Sequence, residues 1–235
     1  MSSIVIPHPC ESIECGPFEL AVLSQSQPID ETQAWTYLHP DDREWLITLK
    51  AALRRSEFLR ARWILEQMQI LPKSSSSRSP ITGHPVVQHP WRVSITHQKG
   101  TVAVAVVLET QWKSVGIDME DTQRVSEHLR DKIVDSTEVE SLTSGLGTDW
   151  ALALAFSAKE SLFKCHHPIG QKMFWFHDAK ITDVCADEQW LDLCVNQETS
   201  PETPAGHVTR VWWTTLEIGR KQVILTACGL HSSGS

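Results

Sequence analysis

The chain has 235 residues, a formal net charge of −8 and 41% hydrophobic residues, ten of its residues being tryptophan. That is enough apolar material for one large core or two small ones, and the acidic balance argues against a general nucleic-acid binder, which carries a basic face or stripe. The longest apolar runs, VAVAVVL (102–108) and ALALAF (151–156), fall far short of the roughly 20 residues that a spanning helix needs.

The N-terminal MSSIVIPHPCES lacks basic residues and is interrupted by Pro7 and Pro9, so no secretory signal is expected and the chain is assigned to the cytoplasm. Residues 40–71 open with Pro40 and two aspartates and place Leu46, Leu49, Leu53, Leu59, Trp63 and Ile64 at helical intervals before Pro72, which predicts one long helix or two. KSSSSRSPITGHP (73–85) has the composition of an exposed loop. WRVSITH (91–97), TVAVAVVLE (101–109) and SVGIDME (114–120) read as strands, and their short connections predict an antiparallel meander. A polar helical stretch over 122–143 leads to DWALALAFSAKESLFKCHH (149–167), a helix of good formers closed by Pro168. KMFWFHDAKITDV, EQWLDLCV, HVTRVWWTTLEI and KQVILTACGL alternate as strands of a second sheet. Helix followed by strands thus occurs twice, predicting two α+β lobes, 1–110 and 111–230, with 231–235 as a loose tail.

Six cysteines without a C-x-x-C pair read as free thiols. Cys165, His166 and His167 are adjacent on a helix and diverge too far to share a zinc ion. More informative is VGIDMED, where Asp118 and Glu120 sit two apart on a strand and share a face, while Ile117 and Met119 pack the other way. Paired carboxylates repel unless a cation or proton lies between them, and hard divalent ions bind such oxygens together with substrate phosphates; a solvated strand end is the alternative. In FSAKESLFK, Glu160 and Lys164 share a helix face, as a surface ion pair or as a third carboxylate and a phosphate-binding cation, with Lys159 about 100° away. SITH ends a strand on Thr96 and His97, and RRSEFLRAR offers arginines that bind phosphates or solvate a helix.

In this order, SITH, GIDME and FSAKESLFK resemble the 4′-phosphopantetheinyl transferase superfamily, whose motifs G-(I/V/T)-D-x-E and (W/F)-(S/T)-x-K-E-(S/A)-x-x-K are both matched in full. The two-lobed length, with RRSEFLRAR, PWRVSITH and FWFHDAKI, is similar to the larger, monomeric, surfactin-associated (Sfp-type) group and most of all to the enterobactin synthase component D branch. The resemblance implies a fold of two similar lobes related by pseudo-twofold symmetry. It also implies transfer of phosphopantetheine from coenzyme A to a serine of an apo acyl, aryl or peptidyl carrier protein, as in fatty acid, polyketide, nonribosomal peptide or siderophore synthesis. By the same resemblance Asp118, Glu120 and Glu160 hold Mg²⁺ (or Mn²⁺), Lys164 meets a phosphate and Glu138 is the base toward the carrier serine. Arg54, Arg62, Thr96, His97, Lys159 and Lys164 contact coenzyme A. One departure is GHP, which puts His84 where the family has a permanent cation, so its phosphate contact is weaker. The alternatives are a catalytically silent coenzyme A or carrier-protein binder, and another Mg²⁺-dependent phosphoryl transferase; the latter lacks a Walker-type glycine loop.

Overall fold

The computed structural model describes residues 5–146 and 150–232. Two antiparallel sheets carry the fold. The first contains β1 (Glu11–Cys15), β2 (Phe18–Leu23), β3 (Trp91–Gln98) and β4 (Thr101–Leu108) in the order β1-β2-β4-β3. The second contains β5 (Trp112–Asp121), β6 (Ala179–Cys185), β7 (Trp190–Val195), β8 (Val208–Ile218) and β9 (Lys221–His231) in the order β5-β9-β8-β7-β6. Between the strands lie α1 (Glu31–Tyr37), α2 (Pro40–Thr48), α3 (Ala52–Gln67), α4 (Arg130–Ile133), α5 (Ser136–Leu146) and α6 (Ala151–Gly170). Each sheet rests on a long helix, α3 or α6, so the fold is the α+β arrangement of two lobes that the sequence predicts. No helix among the described residues is long and apolar enough to cross a membrane.

The strand period of two builds three apolar layers from this order. Val102 and Val104 of β4 face α3, with Leu59, Ile64 and Leu65. Ala103, Ala105 and Val107 face the other sheet, where they meet Val115, Ile117 and Met119 of β5. The outer face of the second sheet packs Val211, Trp213 and Ile224 against Ala155, Ala158 and Leu162 of α6. Both faces of β4 are therefore buried, which is why its sequence is a continuous apolar run.

Several expectations are corrected. The three central strands are no meander: β5 pairs with β9 and leaves β4 for the second sheet. The hairpin β1–β2 precedes any strand expected from the sequence. Of the one or two helices expected over 40–71, two form, broken at extended Leu49 and Ala51, where Arg55 Nη1 donates to the carbonyls of Leu49 (2.5 Å) and Lys50 (3.2 Å). Pro168 lies inside α6, in its last turn, and the helix ends at left-handed Gln171. Residues 172–175 have no regular structure and a 3₁₀ turn precedes β6. His231 is the last residue of β9, stacked on Trp112 with ring centroids 3.9 Å apart, so the expected tail loses its first residue to the sheet; 233–235 lie outside the described residues. The serine-rich loop is irregular as expected but anchored, because buried Asp42 accepts from Ser76 Oγ, Ser77 N and Ser77 Oγ at 2.5–2.8 Å.

A clamp at the end of β5 ties the lobes. Asp121, 2% exposed, accepts from Lys99 in the β3–β4 turn (2.9 Å) and from Lys221 at the start of β9 (2.8 Å). Burial acts to raise its pKa, but the hydrogen bonds from Lys221, Lys99 and Gln123 N outweigh it and hold it at about 2. A depressed carboxylate stabilises the fold above its unfolded pKa of about 4, and that contribution is lost as the pH falls through its folded value. Asp121→Asn is expected to lower the urea midpoint at neutral pH and to flatten the loss of stability between about pH 4 and 2; identical acid dependence in both proteins would contradict the clamp.

Candidate functional site

The edge strand of each sheet lies along the other. Ile117 N–H donates to Ser94 Oγ (3.0 Å), Thr96 Oγ1 donates to Asp118 Oδ1 (3.3 Å) and Gln98 Nε2 to Glu120 Oε1 (3.0 Å). The last two partners differ by 22 residues each, so β3 and β5 run the same way, joined by side chains. On the α6 face of β5 the residue before Ile117 is Gly116. A Cβ there would meet Ser161 O at 2.0 Å and Cys165 N at 2.6 Å, so the missing side chain lets the helix lie directly on the strand. This close approach sets Glu160 and Lys164, one turn apart, beside Asp118 and Glu120.

Lys164 Nζ donates to Asp118 Oδ1 (2.7 Å) and to the carbonyl of Ile117 (3.1 Å). Asp118 Oδ2 is buried without a hydrogen-bond partner. Burial raises the pKa of Glu120, with Asp118 adding to it and Arg124 opposing. Burial also raises that of Glu160, reinforced by Asp118 and Glu120 and opposed by Lys164. Three carboxylates thus share each other's field with one close ammonium, and a cation would relieve that excess. Among the described residues no three His, Cys, Asp or Glu side chains stand close enough together to hold a metal ion. The hard-oxygen donors and the orphaned Oδ2 fit a divalent ion in chemistry, while Lys164 occupies part of the space between them.

A second group lies toward α3. Buried Glu57 accepts from His97 Nδ1 (3.1 Å), Arg54 Nη1 (3.2 Å) and Gly100 N (3.0 Å), and Arg54 also contacts the His97 ring. Burial works to raise the Glu57 pKa, but the bonds from His97 and Gly100 bring it below the usual value. Glu57 was not anticipated; its signal is its place between Arg54 and Arg62 on a helix whose neighbours are apolar.

Other expected contacts change. Thr96, 3% exposed, spends its hydroxyl on Asp118. Arg62 is turned inward: Nε donates to Ser77 Oγ (2.9 Å), Nη2 to Ser77 O (3.1 Å), and the guanidinium lies 3.8 Å over the Phe58 ring. His84 bonds Thr82 Oγ1 (2.5 Å), and burial, with His167 adding, lowers its pKa, so it supplies no permanent cation.

Glu138 and Lys159 are the largest corrections. Each side chain is 1% exposed, and they pair at 2.6 Å. Lys159 completes its bonding to the carbonyls of Ile133 (2.8 Å) and Phe176 (3.0 Å). Glu138 accepts from Ile181 N (2.9 Å) and from Asp135 N (2.9 Å), while Asp135 Oδ1 accepts from Glu138 N (3.1 Å), a capping box for α5. Neither residue can meet a protein serine or coenzyme A as placed; they brace α6 beneath Glu160.

Two adjoining cavities open from the seam. One of about 550 Å³ is lined by His84, Ser94, Phe163 and Lys164, the other, of about 340 Å³, by Arg54, Glu57, Arg78 and His97. Gly83, Pro85 and Ile95 border both, so a long ligand can run from Lys164 to Arg54.

Glu138→Ala strands the Lys159 ammonium in the core and is expected to cost about 3–5 kcal/mol in urea unfolding, with much of it recovered by the apolar pair Glu138→Leu/Lys159→Met. Near-native stability of the single variant would contradict the brace.

Residues 114–217, from β5 through nearly all of β8, match the family model of the 4′-phosphopantetheinyl transferase superfamily. The chain is also similar to the 4′-phosphopantetheinyl transferase Npt of Nocardia iowensis, at 30% identity over 153 residues, which are 61% of this chain. The match spans 65% of the length of that relative. The matched segment includes the paired carboxylates of β5 and the whole of α6.

Proposed function

We propose that the chain transfers the 4′-phosphopantetheine group of coenzyme A to a serine hydroxyl of an apo acyl, aryl or peptidyl carrier protein, releasing 3′,5′-ADP. The observation that carries this reading is the group of Asp118, Glu120 and Glu160 around Lys164, at the inner end of a cleft whose other end holds Arg54 and His97. Attack of a hydroxyl on phosphorus needs alignment and charge neutralisation more than covalent help. Asp118, Glu120 and Glu160 would hold Mg²⁺, or Mn²⁺ in its place, and the ion would neutralise the pyrophosphate of coenzyme A.

Lys164, held by Asp118 at the inner end of the cleft, would balance charge developing on the leaving group. With Glu138 engaged in its brace, the serine proton needs another acceptor, a water or a carboxylate at the mouth of the seam. At the far end, Glu57 orients His97 and Arg54 toward the nucleotide. Lobe 1–110 thus serves the nucleotide and lobe 111–230 the chemistry. Both edges of the seam come from one chain, which supports a monomer of the larger Sfp-type group, near the enterobactin synthase component D branch.

The test is the mass of an apo-carrier protein after incubation with the chain, coenzyme A and Mg²⁺. A gain of one phosphopantetheine arm is expected, and Asp118→Ala should slow it by roughly a hundredfold or more. An unmodified carrier, or near-normal turnover by the variant, would overturn the reading.

A further inference from the structure

Three turns meet at the end of β5, and each carries at least one cation. Lys99 lies in the β3–β4 turn, Arg124 just beyond the end of β5, and Arg220 and Lys221 at the β8–β9 turn. The backbones of these turns are fixed to one another. Lys99 and Lys221 both donate to Asp121 Oδ2 (2.9 and 2.8 Å), and Thr122 N donates to Gln222 O (3.2 Å). Within the turn after β5, Gln123 N donates to Asp121 Oδ1 (3.0 Å) and Arg124 N to Asp121 O (2.9 Å). The positions from which the four side chains project are therefore rigid.

Their charge is not spent within the chain. Two ammoniums share one oxygen of the buried Asp121 carboxylate and stay nearly half-exposed themselves. The Arg124 side chain is 67% exposed and its guanidinium makes no hydrogen bond among the described residues; its ionic contact is with Glu120 Oε1 at 3.7 Å. Arg220 is exposed, and its side chain has no partner among the described residues. Residues 98–101, 121–124 and 218–221 contain no acid besides Asp121, so a chain whose net charge is −8 gathers four cations in turns that expose no carboxylate.

This face adjoins the paired carboxylates on the side that coenzyme A leaves open. The two cavities assigned to it follow β3 from Val93 to His97, and Lys164 holds Asp118 at their inner end. Arg124 reaches Glu120 from beyond the end of the strand. An acceptor serine arrives on a protein too large to enter the cavities, so that protein has to settle on a flank of the seam, and a basic flank on an acidic chain attracts and orients an acidic partner.

We infer that Lys99, Arg124, Arg220 and Lys221 form the docking face for the acceptor protein, whose matching surface carries carboxylates beside the modified serine. This rests on the reading of the chain as a transferase to a protein serine.

Initial rates of transfer to an acidic apo acyl carrier protein, followed by mass, test it, with the carrier and coenzyme A varied in turn. Arg220→Glu, at a side chain that touches none of the carboxylates, should raise KM for the carrier about threefold or more and leave KM for coenzyme A unchanged. Adding Arg124→Gln should bring the rise in carrier KM to about tenfold or more. Added salt should raise the carrier KM of the unaltered chain more steeply than that of the double variant. A carrier whose carboxylates beside the serine are replaced by amides should be an equally poor substrate for both. An unchanged carrier KM in the double variant overturns the inference and leaves the transfer reading intact. A matching rise in KM for coenzyme A with Arg220→Glu also overturns it, because the face would then serve the nucleotide. An unaltered chain that leaves the carrier unmodified overturns the transfer reading itself, and the inference with it.

Discussion

Gly116 sets the distance between α6 and β5, and most of the seam depends on it. A side chain at that position would strike the backbone of Ser161, so α6 would have to lift away. With the helix seated, residues from two distant stretches share one small volume: Asp118 and Glu120 from the strand, Glu160 and Lys164 from the helix. The opposite face of the same strand places Ile117 and Met119 in the layer between the sheets, both at 2% exposure or less. A buried apolar face thus fixes the register of a charged one, because a slip of one residue would exchange them.

The three acidic residues at the end of β5 show how neighbours decide the behaviour of a carboxylate. Asp121 has two lysines within 3 Å and is held at about 2, which ties the lobes together. Asp118 and Glu120 face other acids, one oxygen of Asp118 has no partner, and Glu120 and Glu160 hold their protons more tightly than usual. The first arrangement stabilises the fold; the second costs stability and leaves a demand for positive charge, as a binding site does.

Much of this was legible in the sequence. Period-two patterning in GIDME put the two acids on one face, and helical spacing put Glu160 one turn from Lys164; both hold. Spacing could not reveal which strands pair, and short connections suggested a meander where β5 changes sheet. Nor could it show burial of charge. Glu138 and Lys159 sit in motifs that imply chemistry, yet each is closed off by the other and by backbone groups far away in sequence, such as Phe176 O and Ile181 N. Arg62 and Thr96 were likewise taken by partners distant in sequence, Ser77 and Asp118. Conversely, Arg78 carries no signal of spacing and Glu57 only its place between two arginines; their positions follow from tertiary contacts with Trp45 and His97.

The seam between β3, β5 and α6 gathers three carboxylates around one ammonium, and the proposed function needs a divalent ion to balance them. Electron paramagnetic resonance of Mn²⁺ titrated into the chain with coenzyme A present measures that most directly. The account predicts one bound ion per chain, lost or much weakened in Asp118→Asn and unaffected by Asp121→Asn. No bound ion, or equal binding by the Asp118 variant, would contradict it.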